Sequence, residues 1–208
     1  MRIDPTTVRW SVPEGERAAE LARRGLVVLL HGRYGTEDTL AGFASAFDAV
    51  VATPRGPQPH GDKYEWFQVT DEWPLPDAPL ADLTGAFVAW LDSLDVERAA
   101  FVGFSQGGAT VAEFAVRHPE RVIGAVVIDG FAPSAAPPDD RVPPPLLVLR
   151  GEDDDVVEDL LPAFLDWLPA SAVQRVYPGV GHIVTPGQMA DAAAWLRGDL
   201  PGTRREER

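Results

Sequence analysis

The chain contains no cysteine, which excludes disulfides, thiolate metal sites and a thiol nucleophile. It has no apolar run near the roughly 20 residues that a membrane helix requires. Met1 to Ser11 lacks a basic segment followed by an apolar core, so no signal peptide is expected. Basic charge is scarce: 18 Lys and Arg face 32 Asp and Glu, for a net charge of −14 and an isoelectric point near 4.6. That balance argues against a nucleic-acid partner and against anionic membrane surfaces. It predicts solubility, and with the missing cysteines it fits a cytoplasmic protein. No internal repeat and no domain boundary interrupts the chain.

What is present is ordinary in amount and informative in order. The 208 residues, 45% hydrophobic and 24% charged, fit a single domain over 1–208 with a sizeable core. Leu26 to Leu30, Ala49 to Ala52, Ala99 to Val102, Val122 to Ile128 and Leu146 to Leu149 are short apolar runs of strand type, and Val173 to Tyr177 is read as a further strand. Continuous runs suit strands buried on both faces, hence a parallel sheet. Apolar residues at helical spacing predict helices over Glu37–Phe47, Pro79–Leu94, Ala109–Arg117, Val157–Leu168 and Gln188–Arg197. Thr7 to Val12 alternates weakly and suits an edge strand. Glu14 to Arg24 reads as a turn or short helix, and residues 1–24 form an N-terminal region outside the alternation. Thr53 to Pro76 and Asp129 to Pro145 are long proline-rich loops, and 202–208 is a charged tail expected to fray. Strand and helix alternating throughout predict an α/β fold, with a mainly parallel sheet covered by helices on both faces and no large cap.

One stretch carries the chemistry. Gly103-Phe104-Ser105-Gln106-Gly107 reads Gly-x-Ser-x-Gly between a predicted strand and a predicted helix. A strand that turns at once into a helix exposes the serine hydroxyl at the apex, and the helix start aims N–H groups and its positive dipole end at the same spot. A plain glycine-rich turn is the alternative. A serine hydroxyl needs a base beside it. Of the four histidines, His118 lies at the far end of the helix after the elbow. His60 is in the long loop, facing solvent or substrate, and His31 precedes a glycine in a tight loop that it shapes. His182 follows the last strand in Gly-Val-Gly-His, where two glycines let the ring return over the sheet edge, so His182 is the expected base. The orienting carboxylate comes from Glu152, Asp153, Asp154 and Asp155, which lie in the order serine, acid, histidine, or from Asp129 at the preceding strand end. An oxyanion hole would use the amide of Gln106 and one from the loop His31 to Gly35.

These residues together resemble the carboxylesterase/phospholipase family of α/β-hydrolases, which includes bacterial carboxylesterases and acyl-protein thioesterases. Over roughly Leu26 to Arg197 the chain carries similar strings: Leu29-Leu30-His31-Gly32, Pro54-Arg55-Gly56-Pro57 followed by Trp66-Phe67, Gly103 to Gly108, Gly151-Glu152-x-Asp154-x-Val156-Val157, and Gly181-His182. The resemblance implies Asp154 as the acid, third after Gly151, and the amide of Arg33 as the second oxyanion donor. Arg150, Asp155 and Asp129 stand where the family often has histidine, proline and serine, which fits a divergent substrate preference. The activity implied is hydrolysis of carboxylic esters through an acyl-enzyme, with no metal and no organic cofactor. Acyl-thioesters or lysophospholipids are alternative substrates for the same groups, and a non-catalytic binding module is the alternative of another class. Tyr34, Trp66, Phe67 and Phe131 are the expected pocket walls. The expected partner is a small-molecule ester or thioester, and a homodimer is compatible with this reading.

Overall fold

The computed structural model describes residues 1–70, 74–134 and 143–198. The predicted tail and parts of both long loops fall outside these residues. The elements are β1 (Arg9–Trp10), α1 (Glu14–Arg24), β2 (Leu26–Leu30), β3 (Val50–Thr53), β4 (Gln58–His60), β5 (Lys63–Glu65), α2 (Asp77–Ser93), β6 (Ala99–Phe104), α3 (Gln106–Arg117), β7 (Val122–Ile128), β8 (Leu146–Gly151), α4 (Leu161–Trp167), β9 (Val173–Tyr177) and α5 (Pro186–Arg197). Seven strands form one sheet in the order β1-β3-β2-β6-β7-β8-β9, and only β1 runs antiparallel to its neighbour.

The five residues of β2 are all buried because its side chains alternate between two cores. Val28 and Leu30 pack on one face with Phe87 of α2, Phe114 of α3 and Phe164 of α4. Val27 and Leu29 pack on the other with Met189 and Trp195 of α5. Period-two geometry turns a continuous apolar run into two half-cores. The expected α/β fold, with a mainly parallel sheet and helices on both faces, is the one observed, and the described residues include no large cap.

Several boundaries differ for local reasons. The helix predicted over Glu37–Phe47 is only a 3-10 helix at Ala41–Ala46. Upstream, the Thr36 N–H donates to Thr39 Oγ1 at 2.9 Å and the Asp38 N–H to Thr36 Oγ1 at 3.3 Å; these short polar side chains take amides that a helix would need. The predicted edge strand shrinks to two residues. The loop from Thr53 contains the hairpin β4–β5, which turns at Gly61 with φ 65°. Pro162, without an N–H, delays α4 to Leu161, and a 3-10 turn at Glu158–Leu160 precedes it. α5 starts earlier than expected, because Thr185 and Gln188 form a reciprocal capping box.

Candidate active site

The carboxyl ends of four adjacent parallel strands bring the site together. β6 ends at Phe104 and α3 begins at Gln106, so Ser105 alone makes the turn, at φ 53° and ψ −119°. A side chain rarely accepts that backbone conformation. The packing that enforces it is tight: a Cβ on Gly107 would lie 2.3 Å from the carbonyl oxygen of Leu30, so the helix start can rest on β2 only with glycine there. The sheet ladder continues past the strand ends as a staircase. The N–H groups of Ser105, Asp129, Glu152 and Asp153 donate to the carbonyls of Ile128, Leu149, Tyr177 and Val180 at 2.9, 2.9, 3.0 and 2.9 Å.

His182 hangs from the loop after β9. Its Nε2 lies 2.9 Å from Ser105 Oγ and its Nδ1 2.8 Å from Asp154 Oδ2. With a carboxylate at Nδ1, that nitrogen carries the proton and Nε2 is the acceptor for the serine hydroxyl. Asp154 is held in turn by the Val156 N–H, which donates to Oδ1 at 3.0 Å. The four consecutive carboxylates are thus not equivalent. The Asp154 side chain is 4% exposed, whereas Glu152, Asp153 and Asp155 face solvent. The loop carrying His182 lies directly on the end of β8: a Cβ on Gly151 would stand 2.2 Å from the Val180 carbonyl oxygen.

The other histidines separate clearly. His31 is buried; its Nδ1–H donates to the Gly32 carbonyl at 2.7 Å, and its Nε2 accepts the Gly56 N–H at 3.0 Å. Both nitrogens are used in shaping the loop, and burial pushes its pKa down. His60 is exposed on the β4–β5 hairpin, its ring 4.7 Å from that of Tyr34. His118 ends α3, away from Ser105, with Nδ1 3.6 Å from Glu120.

Beside Ser105 lies an open groove of about 560 Å³, lined by Arg33, Tyr34, Val69, Gln106, Phe131, Val156, Leu160 and His182 among others. Arg33 and Gln106, whose amides are the expected oxyanion donors, both line this groove with Ser105. Gln106 is the first residue of α3, so its N–H has no carbonyl four residues back within the helix. The Arg33 side chain is turned to Glu65, with Nε donating to Oε2 at 2.8 Å, and lies over the Tyr34 ring. Tyr34 and Phe131 line the groove. Trp66 and Phe67 do not, and their assignment as pocket walls is corrected here. Trp66 is 0% and Phe67 2% exposed. The Trp66 indole donates to the His31 carbonyl at 2.7 Å and stacks near His31 and Phe87. Burial of each ring stabilises the fold by about 2–3 kcal/mol, so these aromatics hold the loop onto the core.

Some contributors were not singled out from sequence. The Gln106 side chain accepts the Trp66 N–H at 2.8 Å and donates to the Phe67 carbonyl at 2.8 Å, bolting the aromatic pair to the elbow. A buried glutamine has no pattern that would reveal this. Val156 and Val157, by contrast, stand in the acid motif itself and were open to being read as groove residues. Among the described residues no helix is long and apolar enough to cross a membrane.

Comparisons with known proteins agree with this fold. A family profile described as the alpha/beta hydrolase fold matches residues 25–144. The structure is similar to that of esterase PE8, with a TM-score of 0.68 and 27% identity, covering 84% of this chain and 92% of that one. It is similar to a carboxylesterase from Mesorhizobium loti, with a TM-score of 0.71 and 25% identity over 92% and 94% of the two chains. A Bacillus cereus carboxylesterase at 18% identity shares the fold, with a TM-score of 0.70 over 93% and 94%. Among curated proteins, 51 residues are 49% identical to a candidate non-heme haloperoxidase of Mycobacterium phage D29, a match spanning 24% of this chain and 18% of that protein.

Proposed function

Since the chain belongs to the α/β-hydrolase fold family, we propose that it is a serine hydrolase that cleaves carboxylic esters through an acyl-enzyme on Ser105. The observation that carries this reading is the unbroken line of hydrogen bonds from Ser105 Oγ through His182 to Asp154. His182 Nε2 takes the hydroxyl proton as Ser105 Oγ attacks the acyl carbon. The imidazolium that forms is stabilised by Asp154, and the carbonyl oxygen, now an anion, is received by the amides of Gln106 and Arg33. Each such donor lowers the barrier by about 3 kcal/mol in related chemistry. His182 then returns the proton to the departing alcohol, leaving the acyl group on Ser105. Water repeats the sequence in reverse: its proton goes to His182, its oxygen to the acyl carbon, and the acid leaves as Ser105 regains its proton.

The groove favours esters with an apolar acyl or alcohol part, since Tyr34, Phe131, Val156 and Leu160 are four of its walls. It is open, which suits small dissolved esters or exposed thioesters; the leaving group is chosen by the walls and not by the three reacting residues. The short stretch shared with the phage protein covers too little of either chain to carry a haloperoxidase reading. The test is Ser105→Ala with p-nitrophenyl esters of increasing chain length and a phosphonate probe. Turnover and labelling are both lost while the circular dichroism spectrum stays unchanged. Retention of more than a few per cent of wild-type turnover in the pure variant overturns the assignment.

A further inference from the structure

The reaction just described leaves one buried ionisable group beside it unused. Asp129 follows β7, takes the left-handed backbone at φ 47°, and is 2% exposed. Its Oδ1 accepts the Gly151 N–H at 2.7 Å, and Gly151 is where the chain leaves β8 for the loop that carries Asp154. Its Oδ2 is buried and makes no close hydrogen bond among the described residues. A carboxylate oxygen so placed is costly unless something opposite responds to its charge. What lies opposite is the site. An oxygen of Asp129, an oxygen of Asp154 and a ring nitrogen of His182 are all within 4.8 Å of one another.

The surroundings can be enumerated. From the loop after β8 comes Asp154, from the loop after β9 His182, and from α5 Gln188. The Gln188 side-chain amide is the donor nearest in role to the Asp129 carboxylate and pulls its pKa down; its Nε2 makes no other close hydrogen bond, and its Oε1 is taken by the Thr185 N–H. Arg150 and Glu158 share with Asp129 and Asp154 the wall of a small cavity of about 20 Å³, room for roughly one water molecule.

We propose that Asp129 is a positioning residue for the base. It fixes the root of the acid loop through Gly151, and its carboxylate joins Asp154 as a second negative charge on His182. The inference rests on the ester-hydrolysis reading for its kinetic part only. Desolvation, followed by the charge of Asp154, pushes Asp129 up to about 6, against the pull of the Gly151 N–H. Asp129 therefore gains and loses its proton near pH 6, within 4.8 Å of a ring nitrogen of His182. Above that range its charge favours the imidazolium of the transition state. Below it Asp129 is neutral and that support is lost.

The experiment compares the pH profile of kcat/KM for wild type and Asp129→Asn, which keeps an oxygen for Gly151 and removes the charge. In wild type the acidic limb carries two protons. In the variant it carries one, its midpoint falls by half a pH unit or more, and kcat/KM at pH 8 drops about tenfold with KM little changed. A uniform loss across pH, with slope and midpoint as in wild type, overturns the proposal, because a purely structural contact would act that way. A second measurement on wild type needs neither the variant nor substrate: NMR titration of the His182 ring and the Asp129 carboxyl. Each signal is expected to show the other's midpoint; an Asp129 carboxyl that titrates below pH 4, or that leaves His182 unmoved, overturns the coupling. Failure of the esterase reading looks different, since wild type itself would then show neither turnover nor phosphonate labelling.

Discussion

Asp129 gives stability a pH dependence opposite in sign to that of the carboxylates paired with arginine. Glu37 and Glu20 are held below the usual carboxylate range by hydrogen bonds from Arg55 and Arg23, so their contribution is present above the unfolded pKa and is lost as pH falls. Asp129 is raised, from an ordinary 3.8 to about 6, chiefly by burial. Its contribution is fully present below the unfolded value and is lost as pH rises through the folded one. A shift of about two units corresponds to ~3 kcal/mol at 1.36 kcal/mol per unit. Proton linkage puts ~2 kcal/mol of that between pH 4.5 and pH 8. Asp129→Asn removes the ionisation. Relative to wild type, the variant should therefore gain ~2 kcal/mol on going from pH 4.5 to pH 8, whatever constant effect the amide itself has on packing. For a chain of this length that is about 4–8 °C in melting temperature. Urea denaturation of both proteins at pH 4.5, 6 and 8 measures it. A stability difference that changes by less than about 0.5 kcal/mol over this range would show that the carboxyl is not destabilised by burial. If the positioning role of Asp129 also holds, the same variant is slower at pH 8 as it becomes more stable, a conflict familiar at functional sites.

Asp154→Asn should lower kcat/KM by about 10⁴, because an amide at His182 Nδ1 favours the wrong tautomer; steady-state assays beside Asp129→Asn at one pH rank the two acids, and a larger loss in Asp129→Asn would move the acid to the end of β7. Gly151→Ala would set a Cβ 2.2 Å from the Val180 carbonyl oxygen. The His182 loop must then shift, and a shift of about 1 Å is expected to cost on the order of 100-fold in kcat/KM, readable beside intact circular dichroism.

The sheet was legible because the apolar runs of β2, β6, β7 and β8 are bounded by charged or polar residues, glycine or proline, and a strand covered on both faces leaves no other pattern. The pairing of Ser105 with His182 was legible because a turn this tight needs glycine close to the serine, and because strand-end topology leaves one histidine above the sheet edge; the structure sets the two 2.9 Å apart. Position within the acidic run was different. Spacing alone cannot say which of four neighbours turns inward, and the resemblance to a known motif selected Asp154; in the structure its side chain is the shielded one. Trp66 and Phe67 were misplaced because an aromatic pair in a polar loop reads alike whether it lines a groove or plugs the core. What distinguishes the two is the reach of Gln106, 40 residues from Trp66 in the chain. The Glu37–Phe47 segment failed as a helix because periodicity counts apolar residues, while Thr36 and Thr39 decided its backbone.

The staircase of amides at the strand ends has a consequence for a growing polypeptide. His182 lies 77 residues after Ser105 and 28 after Asp154, and β9 lies next to β8 in the sheet only after α4 has crossed between them. Parallel neighbours have no hairpin to bring them together early. A nascent chain that has emerged only as far as β7 can carry the elbow and its serine, yet it holds neither the imidazole nor the acid of β8. Its hydroxyl remains an ordinary alcohol. Under the proposed mechanism, interrupted synthesis yields an inert fragment, and reactivity arrives with the last quarter of the chain.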